Sequence, residues 1–186
     1  MSAMKKLMLA GATLMAGATN ALADDAAGTG VEIDLQAYTG LWYEIARTPA
    51  PFQQPCDGGV TATYEITGED TVSVVNRCDS GGGETVAIEG TATVLNPQGN
   101  ALQVQFPGTP EAEGANYLIE GVGTKIGDRY AWAVVNGGDG ETAWILARSP
   151  LLDEDTLGIA RAVVRDAGFD PGHLEMTAQP PLSYDP

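Results

Sequence analysis

Cysteine, histidine and clustered carboxylates are the side chains most able to do chemistry, and this sequence uses them sparingly. It has two cysteines, Cys56 and Cys78, and one histidine, His173. Zinc sites draw on three or four such ligands, and this pair fits no zinc spacing. Acyl transfer needs a nucleophile, a base and an orienting acid. No Gly-x-Ser-x-Gly occurs, and His173 lies near the tail, where a solvated or capping role is expected. Gly81, Gly82 and Gly83 lack the Lys-Ser/Thr of a phosphate loop and read as a strand connection. Asp153, Glu154 and Asp155 could suggest calcium, but Leu157, Ala160, Val163 and Val164 follow at helical spacing, with Arg161 and Arg165 behind them. Acid first and base last complements a helix dipole, so the cluster reads as a helix N-terminus. No catalytic residue, metal or cofactor is expected.

The cysteines fit a different role. Residues 1–23 have the order of a secretory leader: Lys5 and Lys6, an apolar run over 7–18, then Ala21-Leu22-Ala23. The run is about 12 residues, and a membrane span needs about 20. No cysteine lies near the cleavage point, so no lipid attachment is expected. These features predict cleavage after Ala23 and a periplasmic or secreted chain, 24–186, with no integral membrane span. In an oxidising compartment a lone cysteine pair is most simply a disulfide. Cys56 and Cys78 also lie nearly symmetrically about a turn at 67–70, so the hairpin around that turn brings them together. A closed loop of about 20 residues contributes on the order of 3 kcal/mol in the chain-entropy view.

Formal charge is −16, and −18 once Lys5 and Lys6 leave with the leader. Such a surface repels phosphates and anionic headgroups, which argues against nucleic-acid or peripheral-membrane partners.

The elements that position these residues are mostly strands. Apolar and polar residues alternate over 41–47, 60–66, 71–77, 84–95, 101–106, 117–122, 130–135 and 142–148, separated by Gly-, Asn- and Pro-rich turns. Eight short strands predict a sandwich or barrel. A helix up to Ala167 and a last strand over 173–179 follow. No repeat or second domain is visible, so 24–186 reads as one domain.

Several blocks carry a family resemblance. Tyr38-Thr39-Gly40-Leu41-Trp42-Tyr43-Glu44-Ile45-Ala46-Arg47, Val60-Thr61-Ala62-Thr63-Tyr64, Val74-Val75-Asn76-Arg77 and Glu89-Gly90-Thr91-Ala92 occur in order, with Trp144 to Pro150 closing the eighth strand. This pattern resembles the lipocalin family, within it the bacterial lipocalin and apolipoprotein D branch, over about residues 35–180. The family's Thr-Asp-Tyr motif is only partly matched at 123–130, in a turn about two residues longer.

The resemblance implies an all-β fold: an eight-stranded antiparallel up-and-down barrel with one C-terminal helix and a short final strand. It implies that Gly40 and Trp42 form the barrel base, with Arg148 laid on the indole, a cation–π contact of about 0.5–2 kcal/mol. Matching the branch strand by strand turns Tyr64, Val74, Asn76, Ile88, Phe106, Tyr117, Ile119 and Trp144 inward as ligand-binding residues. Ala62, Gly90 and Ala92 on that face would leave space. The implied partner is a fatty acid or lysophospholipid, held by a monomer or weak homodimer, for envelope maintenance. Residues 48–55 would form a lid tied to the rim by Cys56–Cys78. Two other uses of the scaffold stay open here: an enzyme, and a loop-mediated inhibitor or interaction module.

Overall fold

The computed structural model describes residues 30–51, 56–80 and 84–179. The expected leader, 52–55 of the expected lid and the Gly81–Gly83 connection lie outside the described residues.

In chain order the elements are α1 (Leu35–Tyr38), β1 (Gly40–Arg47), β2 (Cys56–Ile66), β3 (Thr71–Ser80), β4 (Glu84–Val94), β5 (Ala101–Gln105) and β6 (Tyr117–Val122). A small hairpin, β7 (Lys125–Ile126) and β8 (Arg129–Tyr130), leads into β9 (Trp132–Asn136) and β10 (Ala143–Ala147). Then come α2 (Glu154–Asp166), a 3-10 turn (Pro171–His173) and β11 (Glu175–Met176). Among the described residues, eight antiparallel strands run in the order β10-β9-β6-β5-β4-β3-β2-β1, and β10 pairs with β1 to close the barrel. The eight-stranded expectation holds.

Period-2 alternation gives the wall two apolar faces. The inner face, with Trp42, Tyr64, Val74, Ile119, Val135 and Leu146, fills the lower barrel. The outer face of β1, β9 and β10 carries Tyr43, Ile45, Trp132, Val134 and Ile145, and α2 covers it with Leu157, Ala160 and Val164. Those three residues recur at i, i+3 and i+7, so one helix stripe is buried while Ile159 on the other side is exposed. Asp153 caps α2, its carboxylate accepting from the Thr156 backbone N–H at 2.9 Å. The acidic cluster is thus a helix start.

The wall departs from regular pairing in two places. Between β5 and β6 only Ala101–Leu118 and Leu102–Tyr117 are in register. Beyond them the Asn116 amide stands in for a strand: its Oδ1 accepts from Val104 N at 2.6 Å and its Nδ2 donates to Val104 O at 2.9 Å. Between β1 and β2 the wall forks. The lower half of β1 pairs with β2, from Gly40–Tyr64 to Tyr43–Thr61. A register shift between Glu44 and Ala46 then turns β1 away, and Ala46 and Arg47 pair with Met176 and Glu175 of β11. The C-terminal segment fills the fork. Gly59 N donates to Ala178 O at 2.8 Å, and Gln179 Nε2 bridges Glu44 O and Val60 O at 2.7 and 2.9 Å.

Three local expectations need correction. The final strand is two residues long, not seven, because Pro171–His173 coils into a 3-10 turn that Asp170 caps. The seventh strand starts at Trp132, because Arg129–Tyr130 pairs with Lys125–Ile126 instead. Helix α1 was not anticipated; Asp34 caps it by accepting from Gln36 N and Ala37 N.

Candidate functional site

One end of the barrel is shut. Trp42 is fully buried there, and its Nε1 donates to Tyr38 O at 2.8 Å. The Arg148 guanidinium lies over the indole, Cζ at 3.7 Å from the ring centroid. Its Nη1 donates to Leu41 O at 2.6 Å, and Nη2 to Thr39 O at 2.8 Å and to Ala37 O and Tyr38 O at 3.1 Å. Nε reaches Tyr130 O at 3.2 Å. One cation thereby ties α1, the start of β1 and β8 together. Burial and the neighbouring Arg129 charge lower its pKa to about 10, which leaves it charged at neutral pH.

Gly40 has φ +92, a conformation that favours glycine, and the Arg129 guanidinium lies over the space a Cβ would take. The partly matched 123–130 segment is the β7–β8 hairpin, clasped to α1 from below. Lys125 bonds Asp34 at 2.7 Å, and Asp34 N donates to the Tyr130 hydroxyl. The Lys125 ion pair, aided by the α1 amides, holds Asp34 below the usual carboxylate pKa.

Above this base lies an open cavity of about 530 Å³. Of the residues the sequence turns inward, Tyr64, Val74, Ile88, Phe106, Tyr117 and Trp144 line it. Ile119 is inward but fully buried, packed into the lower core with Val135 and Leu146 rather than facing the space. Asn76 stands between Ala62 and Ile88 in register, yet is not on the lining. The room expected at Gly90 is taken: a Cβ there would lie 2.6 Å from Phe106 Cδ1 and from Gln105 O, so the Phe106 ring occupies it. Ala92 is likewise sealed into the core. Ile88 is 42% exposed because that part of β4 is paired only with β3; β5 joins β4 from Thr91 onward.

The floor is a cluster of phenols. The Tyr64 hydroxyl donates to the Tyr117 hydroxyl at 2.9 Å, and the Tyr117 and Tyr38 hydroxyls are 2.8 Å apart. Burial raises all three pKa values, Tyr64 to about 12 and the other two well above the ordinary phenol value.

Sequence reasoning passed over Glu44, Val104, Asn116, Asp139 and Leu146, which also line the cavity. Glu44 was readable, since it lies two residues beyond Trp42 and so shares its face. Its side chain is 4% exposed and accepts from Thr177 Oγ1 and, at 3.0 Å, from Arg47 Nη1. Asp139 sits in the β9–β10 loop at the mouth. Burial opposes its charge, but donation from Thr142 and Glu141 backbone N–H groups and the Thr142 hydroxyl holds its pKa below normal.

The Cys56–Cys78 bond joins the start of β2 to β3 across 22 residues, with Cα atoms 5.5 Å apart. His173 is exposed, 3.6 Å from Asp170. Among the described residues no group of three or more His, Cys, Asp or Glu is placed to hold a metal, and no helix is long and apolar enough to cross a membrane.

A family model described as a lipocalin-like domain matches residues 33–179. A lipocalin of Acanthamoeba polyphaga mimivirus is 32% identical over 148 residues, covering 76% of this chain and 82% of its own. The outer membrane lipoprotein Blc of Escherichia coli K12 is 32% identical, with 79% of this chain and 80% of its own covered. Mouse apolipoprotein D is 27% identical, with 78% and 77% covered. Among solved structures, insecticyanin from the tobacco hornworm Manduca sexta superposes with a TM-score of 0.61 at 19% identity, covering 81% of this chain and 83% of its own.

Proposed function

The chain belongs to the lipocalin family, and from that premise we propose that its barrel stores or carries one fatty-acyl molecule, a fatty acid or a lysophospholipid, for maintenance of cell-envelope lipids. Lipocalins are in the main binding and transport proteins for small hydrophobic ligands, and that coarser statement applies to this chain. The observation that carries the finer reading is the cavity: about 530 Å³, open at one end, walled by Val74, Val104, Phe106, Val135, Trp144 and Leu146, and floored by tyrosine hydroxyls. That volume is within the range of small-molecule sites, and an apolar wall with a few polar groups suits an amphiphile. Relatives named as an outer membrane lipoprotein and an apolipoprotein support a setting among lipids. A secretory leader cleaved after Ala23 would deliver the protein to the periplasm or outside.

The energy scale is adequate. A 16-carbon chain at about 0.8 kcal/mol per methylene gives roughly 12 kcal/mol before costs. Association and chain ordering remove several kcal/mol, leaving micromolar to nanomolar affinity.

Native mass spectrometry of the protein purified from its own cells is the test, paired with displacement of a fluorescent acyl lipid by unlabelled lysophospholipid. A co-purifying lipid mass and saturable displacement are expected. An empty protein that no acyl lipid displaces refutes the reading and favours a scaffold whose loops do the binding.

A further inference from the structure

The charges around the cavity have one sign. Among the described residues that line it, Glu44 and Asp139 are the carboxylates, and no Lys, Arg or His is present. Residues 52–55, between β1 and β2, and 81–83, between β3 and β4, contain no basic residue either. Arg77 alternates with inward-facing Asn76 and belongs to the outer face. Arg47 forms an ion pair with Glu44 at 3.0 Å, its Nη1 also reaching Thr177 Oγ1 at 3.3 Å, but Arg47 itself is not on the lining, so it offsets the Glu44 charge in part without offering the cavity a cation. The floor adds hydroxyls instead of cations. Three phenols carry three hydrogens, and their two mutual contacts use two of them, so one hydrogen remains for an acceptor.

A carboxylate drawn into this space would lose its water shell and find no cation to replace it. It would also meet Glu44, a buried like charge that stands on the lining while its ion-pair partner Arg47 does not, so the repulsion is reduced by the pair but not cancelled at the cavity. A head left outside would face Asp139 and a chain of net charge −16. An alcohol, amide or ester suffers neither penalty and can use the phenol floor, while an ammonium still loses its water but meets the carboxylates of Glu44 and Asp139 instead of a like charge.

We propose that the occupant's end held in the cavity is uncharged or cationic, and that Glu44 sets this preference by opposing an anionic head. The proposal rests on the carrier reading and narrows it. It ranks ligands by headgroup at constant chain.

Dodecanol, dodecylamine and dodecanoate, titrated at neutral pH into the disulfide-intact chain, isolate the headgroup. Quenching of tryptophan fluorescence reports binding, because Trp144 is in the cavity wall, and calorimetry checks it. The alcohol and the amine should each bind about tenfold more tightly than the carboxylate, the order expected for one like-charge contact that Arg47 offsets only in part, added to the desolvation of the carboxylate. In Glu44→Gln, folded by circular dichroism, the gap between amine and carboxylate should shrink severalfold. Dodecanoate binding as tightly as the others overturns the headgroup preference while leaving the carrier reading intact. An unchanged gap in folded Glu44→Gln overturns the role of Glu44. Failure of all three to bind overturns the carrier reading and this proposal together.

Discussion

Replacing Arg148 by Met keeps most of the side-chain volume and removes the charge that holds the closed end. The wild-type guanidinium donates to Leu41, Thr39, Ala37, Tyr38 and Tyr130 carbonyls and lies 3.7 Å from the Trp42 ring centroid. Hydrogen bonds to a charged group are worth about 1.5–3 kcal/mol. Only the two short ones, at 2.6 and 2.8 Å, need be counted at the lower figure, since water can reach some of the others. With a cation–π contribution of about 1 kcal/mol, the loss comes to about 4 kcal/mol. For a domain of this size that lowers Tm by about 10–15 °C. Urea unfolding followed by near-ultraviolet circular dichroism measures it, and a double-mutant cycle with Trp42→Phe isolates the ring contact. Arg148→Lys should recover only part of the loss, because one ammonium cannot span five carbonyls. A loss below about 1.5 kcal/mol, or full rescue by lysine, would refute the view that directed donors lock the base.

Three further outcomes are expected. Reducing Cys56–Cys78 removes a 22-residue constraint and should cost about 3 kcal/mol in urea unfolding; if the bond also restrains the mouth, ligand off-rates rise in reductant, and unchanged rates count against that restraint. Tyr38, Tyr64 and Tyr117 have folded pKa values raised by burial, so their contribution is fully present below pH 10 and is lost as pH rises through the folded values, about 12 for Tyr64; phenolate absorbance should show three tyrosines ionising only as the fold is lost, and titration of all of them near pH 10 in a native-looking protein would contradict it. Gly90→Ala places a Cβ 2.6 Å from Phe106 Cδ1 and Gln105 O, and such overpacking should cost about 1–3 kcal/mol and weaken acyl binding by pushing the ring inward; unchanged affinity and stability would show that β5 yields freely.

Much of this molecule is legible in the residues because period-2 alternation and turn chemistry are local signals. They place the eight wall strands, and the cap at Asp153 places α2. The inward set is readable by the same parity, but parity ranks faces, not depth. Ile119 and Tyr117 share a strand face, yet one is packed solid and the other borders the space. Depth depends on where Phe106 comes to rest, and that depends on a glycine in another strand. Helix α1 escaped because four residues give no periodicity to read; its signal was Asp34, one residue ahead of a short turn. The fork between β1 and β2 escaped because it is filled by residues 175–179, more than 100 positions away in the chain.

That fork bears on how the molecule is assembled. Strand β1 pairs with β2 along its lower half but needs β10 on its other side and β11 at its upper end, so the ring becomes whole only after nearly all of the chain is available. Contacts this distant form slowly. Until Gln179 bridges Glu44 and Val60, the nascent cup has a slit down one side, and a polypeptide ending at Leu174 would keep it. Closure of the wall beside Glu44 and Val60 is therefore a property that residues 175–179 confer.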